Sequence, residues 1–152
     1  MGKLCNTVLI VLMFQFGSKN ILGQPKISVG TTVSHLNELL NGSEELLIQG
    51  KFLIIKGYSK GTQSKEDRIN KYDLDPERIS YKAEEGVITM RCFSDVDGCI
   101  ERKSLLVGKR AYRNRVAFSV SDEQHGAKVV EALTHLVNCF ADKKYVGPDK
   151  LN

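Results

Sequence analysis

The sequence has no tryptophan, and Phe, Tyr and Trp together make up only 7% of its 152 residues. A sugar-binding platform of stacked aromatic rings has too little material here. Several catalytic fingerprints are missing as well. No H-E-x-x-H, phosphate loop, dinucleotide glycine pattern or C-x-x-C occurs, which removes the zinc metalloproteases, motif-bearing nucleotide-binding enzymes and C-x-x-C thiol oxidoreductases from consideration. No internal repeat or low-complexity tract is visible, and no apolar run approaches the roughly 20 residues that span a bilayer.

The longest apolar run, Val8 to Phe16 broken only by Gln15, is instead the size of a signal-peptide core. Lys3 precedes it, and Gly23 follows with Ile21 two positions before. Residues 1–23 are therefore expected to be a cleavable export signal, with a secreted or periplasmic product that begins at Gln24. Cys5 lies too early to be a lipoprotein cysteine, so the product is expected to carry no lipid and no transmembrane anchor. Cleavage removes Lys3 and Lys19 and no acid. The formal net charge of +4 then becomes +2, with 20 basic against 18 acidic residues. A domain so near neutrality has no general electrostatic footprint for nucleic acid.

Residues 24–152 suit one domain with one core, with a tail from about residue 142 expected to fray. Val33, Leu36, Leu39 and Leu40 predict a short helix capped by Thr31 or Thr32 and stopped at Asn41-Gly42. Leu46 to Tyr58 predicts one or two strands, Ser59 to Asp67 a polar loop, Ile69 to Leu74 a strand and Asp75-Pro76 a turn. Ile79 to Tyr81 and Val87 to Phe93 predict strands around the turn at Glu84-Glu85-Gly86. Ile88, Met90 and Cys92 alternate onto one face there. Ser94 to Gly98 turns the chain into Cys99 to Leu106, and the basic turn Gly108 to Asn114 leads to Val116, Phe118 and Val120 on one strand face. Ser121 and Gln124 form a capping box. It is followed by Val129, Val130, Leu133, Leu136, Val137 and Phe140 at helical spacing.

This order predicts an α+β fold: about six antiparallel strands in a curved sheet or small barrel, a short N-terminal helix and a long C-terminal capping helix. The closing unit, RVAFSV then SDEQHGAKVVEALTHLVNCF, resembles that of pleckstrin-homology-like domains, in which a C-terminal helix plugs a β-barrel. The segment KYDLDPERISYKAEEGVITMRC followed by CIERKS also resembles small secreted bacterial domains of unknown role. Over about Phe52 to Phe140 the resemblance implies a binding or scaffolding module rather than a catalyst, and it transfers no site residues.

Of the residues that bear chemistry, Cys92 and Cys99 flank a six-residue turn and are expected to form a disulfide across a hairpin. Cys139 lies beside the apolar helix stripe, with His135 four positions before it; a thiol nucleophile with that base is one reading, a half-buried structural thiol the other. His125 and His135 point about 80° apart and roughly 15 Å apart along the helix, so no metal or cofactor is expected there. Asp95 and Asp97 before Gly98 read as turn residues rather than a calcium loop. Lys109, Arg110, Arg113 and Arg115, with Tyr112 among them, are the candidate site for an anionic partner.

The function expected from these features is a non-catalytic binding module for a protein, a peptide strand at a sheet edge or an anionic surface. The alternatives are a hydrophobic-ligand carrier with a cavity between sheet and helix, and a thiol-dependent enzyme.

Overall fold

The computed structural model describes residues 28–144; the expected export signal and residues 145–152 lie outside them. The first helix, α1 (Val29–Leu40), begins three residues before its expected start. Ser28, not Thr31 or Thr32, is its N-cap, and the Ser28 hydroxyl accepts the Thr31 N–H at 3.1 Å. Thr32 is buried instead, its hydroxyl donating to the Ser28 carbonyl. Asn41 ends the helix in the left-handed conformation (φ 46°), which an Asn side chain tolerates at this position.

Eight strands follow: β1 (Glu44–Gln49), β2 (Phe52–Ser59), β3 (Thr62–Asn70), β4 (Leu74–Lys82), β5 (Val87–Cys92), β6 (Ile100–Ser104), β7 (Arg110–Arg113) and β8 (Arg115–Ser119). The fold is α+β as expected, with its strands in two antiparallel sheets, β1-β2-β3-β6-β7 and β4-β5-β8, rather than in one curved sheet or small barrel of about six. The expected loop Ser59 to Asp67 is mostly β3, with only Lys60-Gly61 between it and β2. Its inner residue Asp67 is buried between Ile55 and Arg102. Most of the expected turn Gly108 to Asn114 is likewise strand β7, paired to β6. Asp75-Pro76 does not reverse the chain. It sits inside β4, where the register with β5 breaks between Leu74 and Ile79, and a proline there withholds no ladder bond.

The second helix, α2 (Glu123–Lys144), lies along β4 and against α1. Its cap is displaced one residue from the expected Ser121: Asp122 Oδ1 accepts the His125 N–H at 2.8 Å, and the Ser121 hydroxyl donates to Asp122 Oδ2. That bond to the helix end, with the Ser121 bond, holds the Asp122 carboxyl below its usual range. The apolar stripe turns inward as its spacing predicts. Val129, Leu133, Leu136, Val137 and Phe140 are buried and Val130 half-buried, meeting Ile79, Ile88, Met90, Val116 and Phe118 from the smaller sheet. Leu46, Leu53, Ile55, Ile69 and Ile100 complete the same core from the larger one. Gly126 permits the close approach of α2 to β4, because a Cβ there would stand 2.8 Å from Tyr81 Cδ2.

Cys92 and Cys99 are disulfide-bonded, with Cα atoms 6.5 Å apart. They do not face each other across one hairpin. Cys92 ends β5 in the smaller sheet and Cys99 leads into β6 in the larger, so the bond ties the two sheets at their crossover.

Candidate functional site

The four cations singled out from sequence do not form one cluster. Lys109 precedes β7 and its carbonyl accepts the Ser104 N–H at 2.8 Å. Arg110 and Arg113 lie at opposite ends of β7, and alternation places them on opposite sheet faces. Arg115 starts β8, in the other sheet. Lys109 and Arg113 are about 13 Å apart along the strand. Every residue of β7 is exposed, as are Lys109 and Arg115. Arg110 pairs with Glu101 at 3.0 Å, both facing water. The bond between Ser104 and Lys109 sets the phase of the ladder. Arg110 and Tyr112 therefore take non-hydrogen-bonded positions opposite β6, with their peptide groups directed away from the sheet.

That open edge contrasts with the other end of the same sheet. On β1, the Asn37 side chain from α1 occupies both backbone groups of Leu46, as a neighbouring strand would. Between Ile100 and Arg115 the chain carries six cations and one acid. The connection from β6 to β7 adds three exposed apolar side chains, Leu105, Leu106 and Val107.

A second basic feature has no counterpart in the sequence reading. Arg91 on β5 stands directly across from Arg115 on β8, and Arg78 lies on the opposite neighbour, β4, just before the Ile79–Met90 pair. All three project from the face opposite the core residues Ile79, Met90 and Val116. They line one cleft of about 240 Å³, together with Phe93, Ser94 and Asn114. No acid lines it. Arg78 is anchored by a bond from Nη1 to the Cys92 carbonyl at 2.8 Å. Arg91 and Arg115 make no ion pair among the described residues. Asn114 braces the wall: its Oδ1 accepts the Gly98 N–H at 2.6 Å, its Nδ2 donates to Asp97, and its carbonyl accepts the Cys92 N–H. Asp97 is thereby part of a corner, as the turn reading expected. The 13 positions from Arg78 to Arg91 and 24 more to Arg115 carry no periodic signal; only strand register unites them.

No family model, curated protein or solved structure matches this chain. The remaining candidates are therefore judged on geometry alone. Cys139 Sγ lies 3.6 Å from His135 Nε2, so the helical spacing does bring thiol and base together. His135 also lines an open groove of about 580 Å³ between the helices with His35, Glu38, Lys128 and Glu131. That pairing of His35 with His135 was invisible in sequence, because the residues are 100 positions apart. The groove provides acids and bases, Glu38 and Glu131 beside His35, Lys128 and His135. Among the described residues no three His, Cys, Asp or Glu side chains converge on one metal position.

The buried charges have structural roles. Arg102 grips Asp67 through two bonds of 2.6 Å, with Asp67 fully buried. Beside them Lys65 reaches Glu44 at 3.0 Å by lying across Gly57, where a Cβ would stand 2.9 Å from Glu44 Oε2. Burial raises the Glu44 carboxyl above its ordinary range against the pull of Lys65, and Glu44 Oε2 has no hydrogen-bond partner among the described residues.

Proposed function

We propose that this chain is an exported, non-catalytic binding module that takes an anionic protein partner on the hairpin formed by β6 and β7. The observation that carries this reading is the contrast between the two edges of the larger sheet. Asn37 holds the β1 edge at Leu46, whereas β7 is exposed throughout, bordered by cations and, among the described residues, unpaired on its outer side. Leu105, Leu106 and Val107 supply the apolar centre that a protein contact needs, and Lys103, Lys109, Arg110 and Arg113 supply a charged rim. The space between α2 and the sheets is filled by Leu133, Leu136, Met90 and Phe118, all fully buried, which gives a ligand-carrier reading no support.

Export is supported by the signal-like start and by the disulfide, a bond that persists in oxidising compartments. No helix among the described residues is long and apolar enough to cross a membrane. N-terminal sequencing of the chain released by an expressing cell is expected to begin at Gln24. Retention of the full chain inside the cell, uncut, contradicts export. For the binding surface, Lys109→Glu, Arg110→Glu and Arg113→Glu together are expected to abolish retention on immobilised poly-glutamate while the far-UV spectrum is unchanged. Unchanged retention overturns the hairpin as the site.

A further inference from the structure

We propose that Arg78, Arg91 and Arg115 form a binding site for a compact tetrahedral oxyanion, a phosphate or sulfate group taken up free or as a monoester. The inference deepens the anionic-partner reading by naming a chemical group, and it rests on that reading only for what presents the group.

Three adjacent strands each contribute one arginine to the lining of the same cleft. Like charges directly opposite on neighbouring strands destabilise a sheet, and Arg91 and Arg115 are such a pair. The sheet does not relieve that repulsion with an acid. Glu77 and Asp95, the acids next in the chain to Arg78 and Ser94, do not line the cleft, and Asp97 is bonded to Asn114. An anion between the three side chains would relieve it.

The geometry selects the kind of anion. A guanidinium offers paired N–H donors in a planar fork, the arrangement that matches two oxygens of a phosphate or sulfate. Three such forks suit a group with several equivalent oxygens better than a single carboxylate. A cleft of about 240 Å³ accepts that group and little of what it is attached to, being smaller than the roughly 300–1,000 Å³ typical of sites that enclose whole ligands. Ser94 and Asn114 add polar groups at its rim.

The site is also preorganised. Arg78 is held by the Cys92 carbonyl, the Cys92–Cys99 disulfide fixes both ends of the wall loop, and Asn114 fastens Gly98 and Asp97 within it. Arg91 and Arg115, which have no such tie, are what an arriving anion would order.

The test uses the full chain and follows thermal stability and calorimetric binding with sodium phosphate, sodium sulfate and O-phosphoethanolamine, against sodium chloride at matched ionic strength. Saturable stabilisation by at least one of the three, absent with chloride, is expected. The ranking of inorganic phosphate against O-phosphoethanolamine separates a free ion from a monoester. Arg91→Gln is expected to weaken that binding about tenfold or more. The same variant without anion is expected to melt no lower than the parent, because it removes a like-charge contact. Arg91→Lys, which keeps the charge and loses the fork, should fall between. If none of the three anions differs from chloride, or if Arg91→Gln binds as the parent does, the site is refuted. The poly-glutamate experiment on Lys109, Arg110 and Arg113 leaves these arginines intact except as neighbours, so failure of the hairpin and failure of the cleft are separate results.

Discussion

Asn37 holds both backbone groups of Leu46: its Oδ1 accepts the Leu46 N–H at 2.7 Å and its Nδ2 donates to the Leu46 carbonyl at 3.0 Å. One side chain thus ties α1 to β1 and closes a sheet edge that would otherwise be a template for another chain. Asn37→Ala leaves a donor and an acceptor without partners at a half-buried position and is expected to destabilise the fold by about 1–3 kcal/mol. Urea denaturation measures the loss. Hydrogen exchange should show the Leu46 amide opening by more than its neighbours, and equal protection in parent and variant contradicts the role.

The ion pair of Asp67 and Arg102 should be expensive to break by halves. Asp67→Asn leaves Arg102 facing a poor acceptor, and Arg102→Met leaves a fully buried carboxylate alone; each is expected to lower stability by about 3–5 kcal/mol. Replacing both by apolar residues, Asp67→Leu with Arg102→Met, should recover much of that. A double-mutant cycle by chemical denaturation decides it. Additive losses would mean that the two side chains do not act on each other.

Glu44 supplies a pH dependence with a definite sign. Its folded-state affinity for a proton is raised above the ordinary value of 4.5 by burial, so between the unfolded and folded values the native state binds more protons. Stability contributed in this way is complete below the unfolded value and is lost as pH rises through the folded one. Glu44→Gln cannot titrate. The melting temperature of the variant relative to the parent is therefore expected to rise from about pH 4 to about pH 7. A pH-independent difference rules this out.

Two glycines mark close approaches rather than turns. At Gly57 a methyl group meets Lys65 and Glu44 together, and Gly57→Ala is expected to push Lys65 off its partner and strengthen the pH dependence just described. Gly126→Ala gains helix propensity of about 1 kcal/mol but drives a methyl into the Tyr81 ring. Overpacking of about 1–3 kcal/mol is expected to prevail. A Gly126→Ala protein more stable than its parent would mean that α2 shifts freely on β4.

How far these features were legible depended on whether a residue's role was local. The α2 stripe and the alternation of Ile88, Met90 and Cys92 were plain, because each buries one face of its own element. Strand β3 was not. Its residues TQSKEDRIN look like solvent-exposed loop, since the inner Asp67 is satisfied by Arg102 from 35 positions away and the outer Glu66 and Arg68 face water. β7 buries nothing, so burial could leave no pattern in it. Pairing of Cys92 with Cys99 followed from spacing, yet the spacing was silent on the two sheets they belong to. The arginine cleft was hidden for the same reason as β3. Arg91 showed its outward direction in the alternation of its strand, but register alone places Arg78 and Arg115 beside it.

Asn114 connects the cleft wall to the strand corner, so it offers a way to disturb the site without touching an arginine. Asn114→Ala is expected to weaken phosphate or sulfate binding several-fold while the melting temperature without anion changes little, since the residue is exposed. Calorimetry on both proteins tests this, and equal affinities would show that the loop needs no brace.

The covalent tie at the crossover has a consequence for where the protein can act. Cys92 and Cys99 bound the loop that walls the arginine cleft, and Cys92 also presents the carbonyl that positions Arg78. Reduction would free residues 93–98 from their covalent tie and leave the Asn114 bonds to Gly98 and Asp97 as the brace of that wall. The proposed anion site therefore belongs to the oxidised chain: affinity for phosphate or sulfate is expected to fall on reduction, and an unchanged affinity would show that Asn114 and the strands hold the wall by themselves.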